Sequence, residues 1–201
     1  MKILALELSS ARGSIALRDG DKIEFDREWA NDRKNSGSFF EYLTEVQKQF
    51  GNADAIIVGL GPGSYAGTRI AISAAIGLQT ASQAQMLGFP SICAIDCDIS
   101  EYCVIGDARR QTFFLARASD HNLVEGPDLM SKAELREKLD KIDQKMPMFT
   151  TEKLPQFERA ELRYPSAKVL ARLATDSKTN FAQPPLEPMY LREPHITVPK
   201  K

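Results

Sequence analysis

The sequence is short of most features that announce a chemistry. It has two histidines, one tryptophan and three cysteines in 201 residues. His121 and His195 form no H-x-x-x-H or His–Cys cluster, so they read as surface residues rather than metal ligands. Cys93, Cys97 and Cys103 leave an odd thiol at spacings that match no zinc motif. They read as buried, reduced thiols, small hydrophobes in a cytoplasmic protein. An excess of either charge is also missing: 26 Lys plus Arg stand against 27 Asp plus Glu, a net charge of -1. A free-standing nucleic-acid binder should carry a strongly basic surface, so that class is excluded unless another chain supplies the basic face. Long apolar runs are lacking too. The run at residues 3–6 stops at Glu7, and the run at 70–78 is interrupted by Ser73. Neither a targeting segment nor a membrane span is expected.

What is present is a regular succession of strands and helices. Strands are expected at 3–8, 14–18 and 22–29, with Asp19-Gly20 as a hairpin turn. Ile23, Phe25 and Arg27 alternate with Glu24, Asp26 and Glu28, as in a strand with one wet face. A polar loop leads to a helix at 38–50. Ser38-Phe39-Phe40-Glu41 has capping-box spacing, Phe39, Leu43, Val46 and Phe50 share one stripe, and Gly51 is a stop. Trp29 and Phe25 read as packing residues. A strand at 53–59, a Gly-rich turn and a long helix at 66–86 complete the first half. The second half partly repeats this order. Strands are expected at 102–107, 111–118 and around Leu123, then a helix at 131–139 behind a second capping box, Ser131-Lys132-Ala133-Glu134. A strand at 146–150 and a helix at 165–175 follow. Five of the eleven prolines lie between 184 and 199, which fits an extended tail. Three antiparallel strands, helix, strand, helix is the order of the ribonuclease-H-like unit. The expected fold is therefore α/β, of the actin-like ATPase kind, with two similar mixed-sheet subdomains at 1–100 and 101–201.

The sharpest local motif is Gly59-Leu60-Gly61-Pro62-Gly63-Ser64-Tyr65-Ala66-Gly67-Thr68-Arg69. Amides at a helix N-terminus bind phosphate, and glycines allow close approach. Yet the motif is neither a P-loop nor a G-x-G-x-x-G fingerprint, and a tight structural turn built on Gly61, Gly63, Ser64 and Gly67 explains it better than phosphate binding does. Ser64 lies outside the G-x-S-x-G pattern and has no His or Asp placed to activate it. Glu7, beside Ser9 and Ser10, is the one carboxylate positioned for a metal, and one carboxylate makes a poor magnesium site. Asp107-Ala108-Arg109 closes a strand without a Gly-rich turn, so Asp107 is expected to cap that turn or pair with Arg109 or Arg110. The helix after the Gly-rich turn carries small residues at near-helical spacing: Ala66, Ser73, Gly77, Ala81 and Ala84. Such a face admits another helix closely. Gly77 costs about 1 kcal/mol against Ala in a helix interior, which points to close packing there. A helix of the same chain is the simplest partner for most of these positions.

Four segments resemble the TsaB (YeaZ) family: residues 3–10 (ILALELSS), 61–70 (GPGSYAGTRI), Asp107-Ala108-Arg109 and Pro188-Met189-Tyr190-Leu191-Arg192. The resemblance implies two ribonuclease-H-like halves and no competent nucleotide site, hence no catalytic residue, metal or cofactor. It implies a required partner of TsaD, the paralogue that transfers threonylcarbamoyl to N6 of adenosine 37 in tRNAs reading codons that begin with A. A small TsaE-type ATPase joins the pair, and tRNA is met only through the complex. Heterodimers in the family use helices of the N-terminal half, here the two helices bearing Phe39, Leu43 and Val46, and Arg69, Ser73, Gly77 and Ala81. Homodimers through the same face are a further expectation where TsaD is absent. Glu7-Leu8-Ser9 replaces the family's usual Asp-Thr-Ser, Asn35-Ser36-Gly37-Ser38 its His-Ser-Glu-containing segment, and Tyr65-Ala66 its commoner Phe-Thr. The alternative reading is an ATP-dependent phosphotransferase or ATPase of the same fold, which needs a second phosphate loop and more carboxylates.

Overall fold

The computed structural model describes residues 1–31, 36–175 and 179–192. Two five-stranded mixed sheets form its frame. The first contains β1 (Lys2–Glu7), β2 (Arg12–Asp19), β3 (Lys22–Ala30), β4 (Ala55–Gly59) and β5 (Gln85–Phe89), in the order β3-β2-β1-β4-β5. The second contains β6 (Glu101–Asp107), β7 (Thr112–Ser119), β8 (Asn122–Ser131), β9 (Met148–Thr150) and β10 (Glu161–Leu162). Its order, β8-β7-β6-β9-β10, reproduces the first. In each sheet the first strand pairs antiparallel with the second and parallel with the fourth. Ala5 thus faces Ala16 and Ile57, and Val104 faces Ala116 and Phe149. The fold is the expected one: a ribonuclease-H-like topology used twice, as in actin-like proteins.

Burial follows from each strand's place. The central strand β1 is apolar on both faces, as a strand covered on two sides must be. Ile3 and Ala5 enter a core shared with β6, β7 and β9, while Leu4 and Leu6 enter an outer core under the helices. Edge strand β3 keeps one wet face. The helix α1 (Gly37–Phe50) lays Phe39, Leu43 and Val46 on the outer core, where Trp29 packs against Phe39 and Tyr42. The helix α2 (Tyr65–Ser82) lays Ala71, Ile72 and Ala75 on the same face of the sheet. A third core joins the second sheet to α3 (Lys132–Lys141). No helix among the described residues is long and apolar enough to cross a membrane.

Several elements differ from expectation. The long helix ends at Ser82, where Gln83 turns left-handed (φ 61°), and residues 85–89 form β5 beside β4. Met86-Leu87-Gly88-Phe89 is a short apolar run that periodicity alone cannot assign to helix or strand. The first capping box is not made: α1 already begins at Gly37, which puts Ser38 inside its first turn. The second is complete. Ser131 N–H donates to Glu134 Oε2 (2.7 Å), and Glu134 N–H donates to Ser131 Oγ (3.3 Å). Strand β10 was not expected, and no helix joins it to β9. The last helix, α4 (Ala167–Leu173), crosses back to the first sheet. Ala167 N–H donates to Ser14 Oγ, and Arg18, nearly buried, donates to the carbonyls of Ala171 and Arg172 at the helix C-terminus. A boundary at residue 100 separates the strands of the two sheets but leaves α4 packed on the other side.

The thiols and histidines also depart in detail. Cys93 and Cys103 are buried and Cys97 half-buried, all three free, and burial pushes the Cys93 thiol up to about 12. His121 is half-buried, with Nδ1 2.8 Å from the Cys93 carbonyl, rather than a surface residue. His195, Asn35 and the tail beyond residue 192 lie outside the described residues.

Candidate functional site

Two places gather the residues the sequence singles out. The first is a cleft of about 450 Å³ between the sheets, lined by Ser9, Ser10, Gly63, Ser64, Asp107, Arg109, Glu152, Tyr190 and Arg192 among others. All four segments that carry the family resemblance converge on it, although they are scattered through the chain.

The Gly-rich turn is built by close approach. A Cβ on Gly63 would stand 2.1 Å from the Ser9 carbonyl oxygen, and one on Gly67 would stand 2.1 Å from that of Leu8. Only glycine fits at either position. Ser64 N–H donates to Ser9 O (2.5 Å), and the Ser64 hydroxyl caps α2 by accepting from Gly67 N–H. Gly61 takes a positive φ of 91°, and its N–H donates to Ser91 Oγ. The positive end of α2 is thus met by carbonyl oxygens of the strand end. A phosphate at the same amides would face those oxygens.

Glu7 lies behind this turn, fully buried. Its Oε1 accepts from Ser9 N–H (2.6 Å), and its Oε2 has no partner. A Cβ on Gly59 would fall 1.8 Å from that oxygen, so Gly59 makes room for the carboxyl. Burial raises the Glu7 pKa above its ordinary 4.5, against the opposing pull of the nearby Ser9 and Ser91 hydroxyls and the Ser9 N–H. The folded chain therefore holds a proton that the unfolded chain releases. Stability from this group is fully present below 4.5 and is lost as pH rises through the folded-state value. Glu7→Gln is expected to unfold at a higher temperature than wild type at pH 8. The gap should close as the pH falls toward 4.5, and thermal melts across that range check it. A variant less stable at pH 8 than at pH 5, relative to wild type, would contradict the assignment.

Across the cleft, Asp107 both caps and pairs. Its Oδ1 accepts from Arg109 N–H (2.6 Å), and its Oδ2 lies 3.1 Å from the Arg109 guanidinium. Glu152 Oε2 reaches the same guanidinium at 3.8 Å, and its Oε1 accepts from Asp107 N–H. Arg192 donates to Thr112 Oγ1. Asp107, Glu152 and Arg109 are spent on one another, and Arg192 on the Thr112 hydroxyl. Glu152, Thr151 and Arg192 escaped the reading of the sequence as cleft residues. A Thr-Thr-Glu end to a short strand has no local signature, and only the second sheet's topology places it opposite the Gly-rich turn.

The second place is the outward face of α2. Arg69, Ser73, Gly77 and Ala81 repeat at every fourth residue and are all exposed. Among the described residues, nothing lies within 4 Å of where a Gly77 Cβ would be. Among the described residues, the helix expected to cover most of these positions from within the chain is therefore absent over this ridge. Ala84 leaves the set, being buried beyond the helix end. Ile76 on α2 and Phe40 on α1 are about half exposed, at 47% and 49%. At the helix start Tyr65 stacks on Tyr190 (centroids 5.3 Å) and bonds Arg69, which joins the ridge to the cleft mouth. The candidates on α1 need correcting. Phe39, Leu43 and Val46 are 1%, 8% and 1% exposed, because they face the chain's own sheet. The outward side of α1 presents Phe40, Glu41 and Thr44 instead.

The sequence model of the TsaD family, tRNA N6-adenosine threonylcarbamoyltransferase, matches residues 37–192. The chain belongs to the TsaD family. Among solved structures, a Pseudomonas aeruginosa protein described as similar to peptidase YEAZ superposes with a TM-score of 0.73. It is 20% identical, over 95% of this chain and 99% of that one. YeaZ from Pseudomonas aeruginosa gives 0.68 at 21% identity, over 86% and 90%. These likenesses show that this TsaD-family chain has the YeaZ fold over nearly its whole length. Rv3421c of Mycobacterium tuberculosis, described as uncharacterized, is 29% identical over 99 residues, 46% of this chain. The match spans 44% of that relative's length.

Proposed function

We propose that the chain is a non-catalytic partner subunit in the threonylcarbamoylation of adenosine 37 at N6 in tRNA. It docks on a catalytic TsaD paralogue through the outward face of α2. The observation that carries this reading is the bare ridge Arg69-Ser73-Gly77-Ala81 on a helix whose opposite side is fully packed. A glycine in mid-helix weakens the helix, and among the described residues of the chain nothing packs against it. A close-packed partner helix gives it a purpose.

The cleft supports the non-catalytic part. A phosphoryl- or nucleotidyl-transfer site needs free carboxylates for metal and open amides for phosphate. Here Asp107 and Glu152 share Arg109, Glu7 is sealed behind Gly59, and the α2 N-terminus meets the Ser9 carbonyl. The near-neutral charge of the chain suits contact with tRNA through its partner. A TsaE-type ATPase is the third member of the assembly, which works in the cytoplasm. Homodimers through the α2 ridge form where the paralogue is absent.

Mixing the purified chain with the TsaD paralogue of the same organism is expected to give one co-eluting complex in size-exclusion chromatography. Separate elution at micromolar concentrations would contradict the docking.

A further inference from the structure

The free edges of the two sheets, β3 and β10, border a side cleft of about 780 Å³, lined by none of the four segments that meet in the first cleft. Its rim is highly charged, yet most of the charge is paired. Arg12 meets Glu28 at 3.1 Å, Lys168 meets Asp96 at 3.3 Å, and Arg163 meets Glu161 at 2.7 Å. Asp26 is the lining carboxylate outside these pairs.

The register explains where Asp26 points. Asp26 stands opposite Ala16 and Glu28 opposite Ser14 across the β2–β3 ladder. The Ser14 hydroxyl accepts from Ala167 N–H at 2.9 Å, so this face of the ladder looks onto the start of α4. Ser166, the preceding residue, also lines the cleft and is 2% exposed. Two buried polar atoms here have no hydrogen-bond partner among the described residues: Asp26 Oδ1 and Ser166 Oγ. Ser166 occupies the N-cap position of α4 without capping it by its side chain. Buried oxygens of this kind are nearly always satisfied, and a pair of them in one cleft marks the place of a missing donor. A metal ion is a poor candidate, since no group of three or more His, Cys, Asp or Glu among the described residues could hold one. A group bearing several N–H donors and a positive charge suits both acceptors, because a carboxylate accepts strongly from a charged donor and a hydroxyl oxygen accepts as well. Burial raises the Asp26 pKa, chiefly by desolvation and against the pull of Lys168, and a cationic donor at Oδ1 would favour the ionised form.

We propose that the side cleft binds a small organic cation through a primary ammonium or guanidinium group seated on Asp26 Oδ1 and Ser166 Oγ. The full-length, isotope-labelled chain can be titrated with agmatine, which carries both groups, and with tetramethylammonium, which carries charge but no N–H. Agmatine is expected to give saturable amide shifts centred on residues 26, 96 and 163–168, and tetramethylammonium none that saturate. Asp26→Asn should weaken agmatine binding about tenfold, through loss of a charge-assisted bond, and Ser166→Ala several-fold. Ser166→Ala removes a hydroxyl that bonds nothing, so it decides the matter if Asp26→Asn fails to fold. Failure of agmatine to saturate, an equal response to tetramethylammonium, or affinity unchanged in the folded variants would overturn the proposal. So would binding of a lysine- or arginine-bearing peptide without agmatine, which would make the cleft a protein contact.

Discussion

Gly77→Arg is expected to stabilise the isolated chain while abolishing its association with the TsaD paralogue. The two effects have opposite signs because they are set by different surroundings. In the free chain, Gly77 is exposed, and among the described residues nothing stands within 4 Å of a Cβ built on it. Arginine is a good helix former, so the exchange should add about 0.5–1 kcal/mol to the helix. For a chain of this size that raises the melting temperature by about 1–4 °C. In the complex, the same side chain would stand where Ser73, Gly77 and Ala81 let a second helix approach, and helix axes closer than about 10 Å leave no room for it. Size-exclusion chromatography with the paralogue and a thermal melt of the chain alone read the two effects separately. A stabilised variant that still forms the complex would move the interface elsewhere. A destabilised variant would mean that an intramolecular contact covers the ridge.

Gly67→Ala should have the opposite pattern, damaging the chain itself. Its new Cβ would fall 2.1 Å from the Leu8 carbonyl oxygen and 3.1 Å from the carbonyl carbon. These are backbone atoms at the end of the central strand, so relief requires α2 to move away from β1. Overpacking a rigid site of this kind costs about 1–3 kcal/mol and occasionally more. The expected fall in melting temperature is about 3–10 °C. Addition of ATP and magnesium should not restore it, because the glycine serves backbone packing rather than a phosphate. A variant of wild-type stability that had lost nucleotide binding would show that the turn cradles phosphate.

Much of the fold was legible in the sequence because local rules and global topology agree there. The β1 run, the β2–β3 hairpin (its turn at Gly20-Asp21, one residue beyond the expected Asp19-Gly20) and the Ser131–Glu134 cap each depend on neighbours a few residues apart. Strand β5 was not legible, since Met86 to Phe89 continues the apolar content of α2 and only pairing with β4 makes it a strand. Two-residue β10 exists through its pairing with β9 alone. The site divides in the same way. The stripe Phe39-Leu43-Val46 was visible as a stripe, but periodicity says only that one side is apolar, and here that side meets the chain's own sheet. The spacing of Ser73, Gly77 and Ala81 was equally visible, and the direction in which they face needed the structure. Asp107 was expected to cap its turn or to pair with Arg109 or Arg110, and it does both with Arg109. Glu152, which completes their network, comes from a distant strand end that no spacing rule connects to them.

The central claim is that this chain is required for tRNA threonylcarbamoylation and contributes no catalytic group of its own. Its most direct test is reconstitution with the TsaD paralogue, the TsaE-type ATPase, threonylcarbamoyl-adenylate and substrate tRNA from the same organism. The modified adenosine is counted with wild-type chain, with Gly77→Arg and with no chain. The account predicts modification with the wild type and a loss with Gly77→Arg as complete as with omission. Undiminished modification when the chain is left out would contradict it.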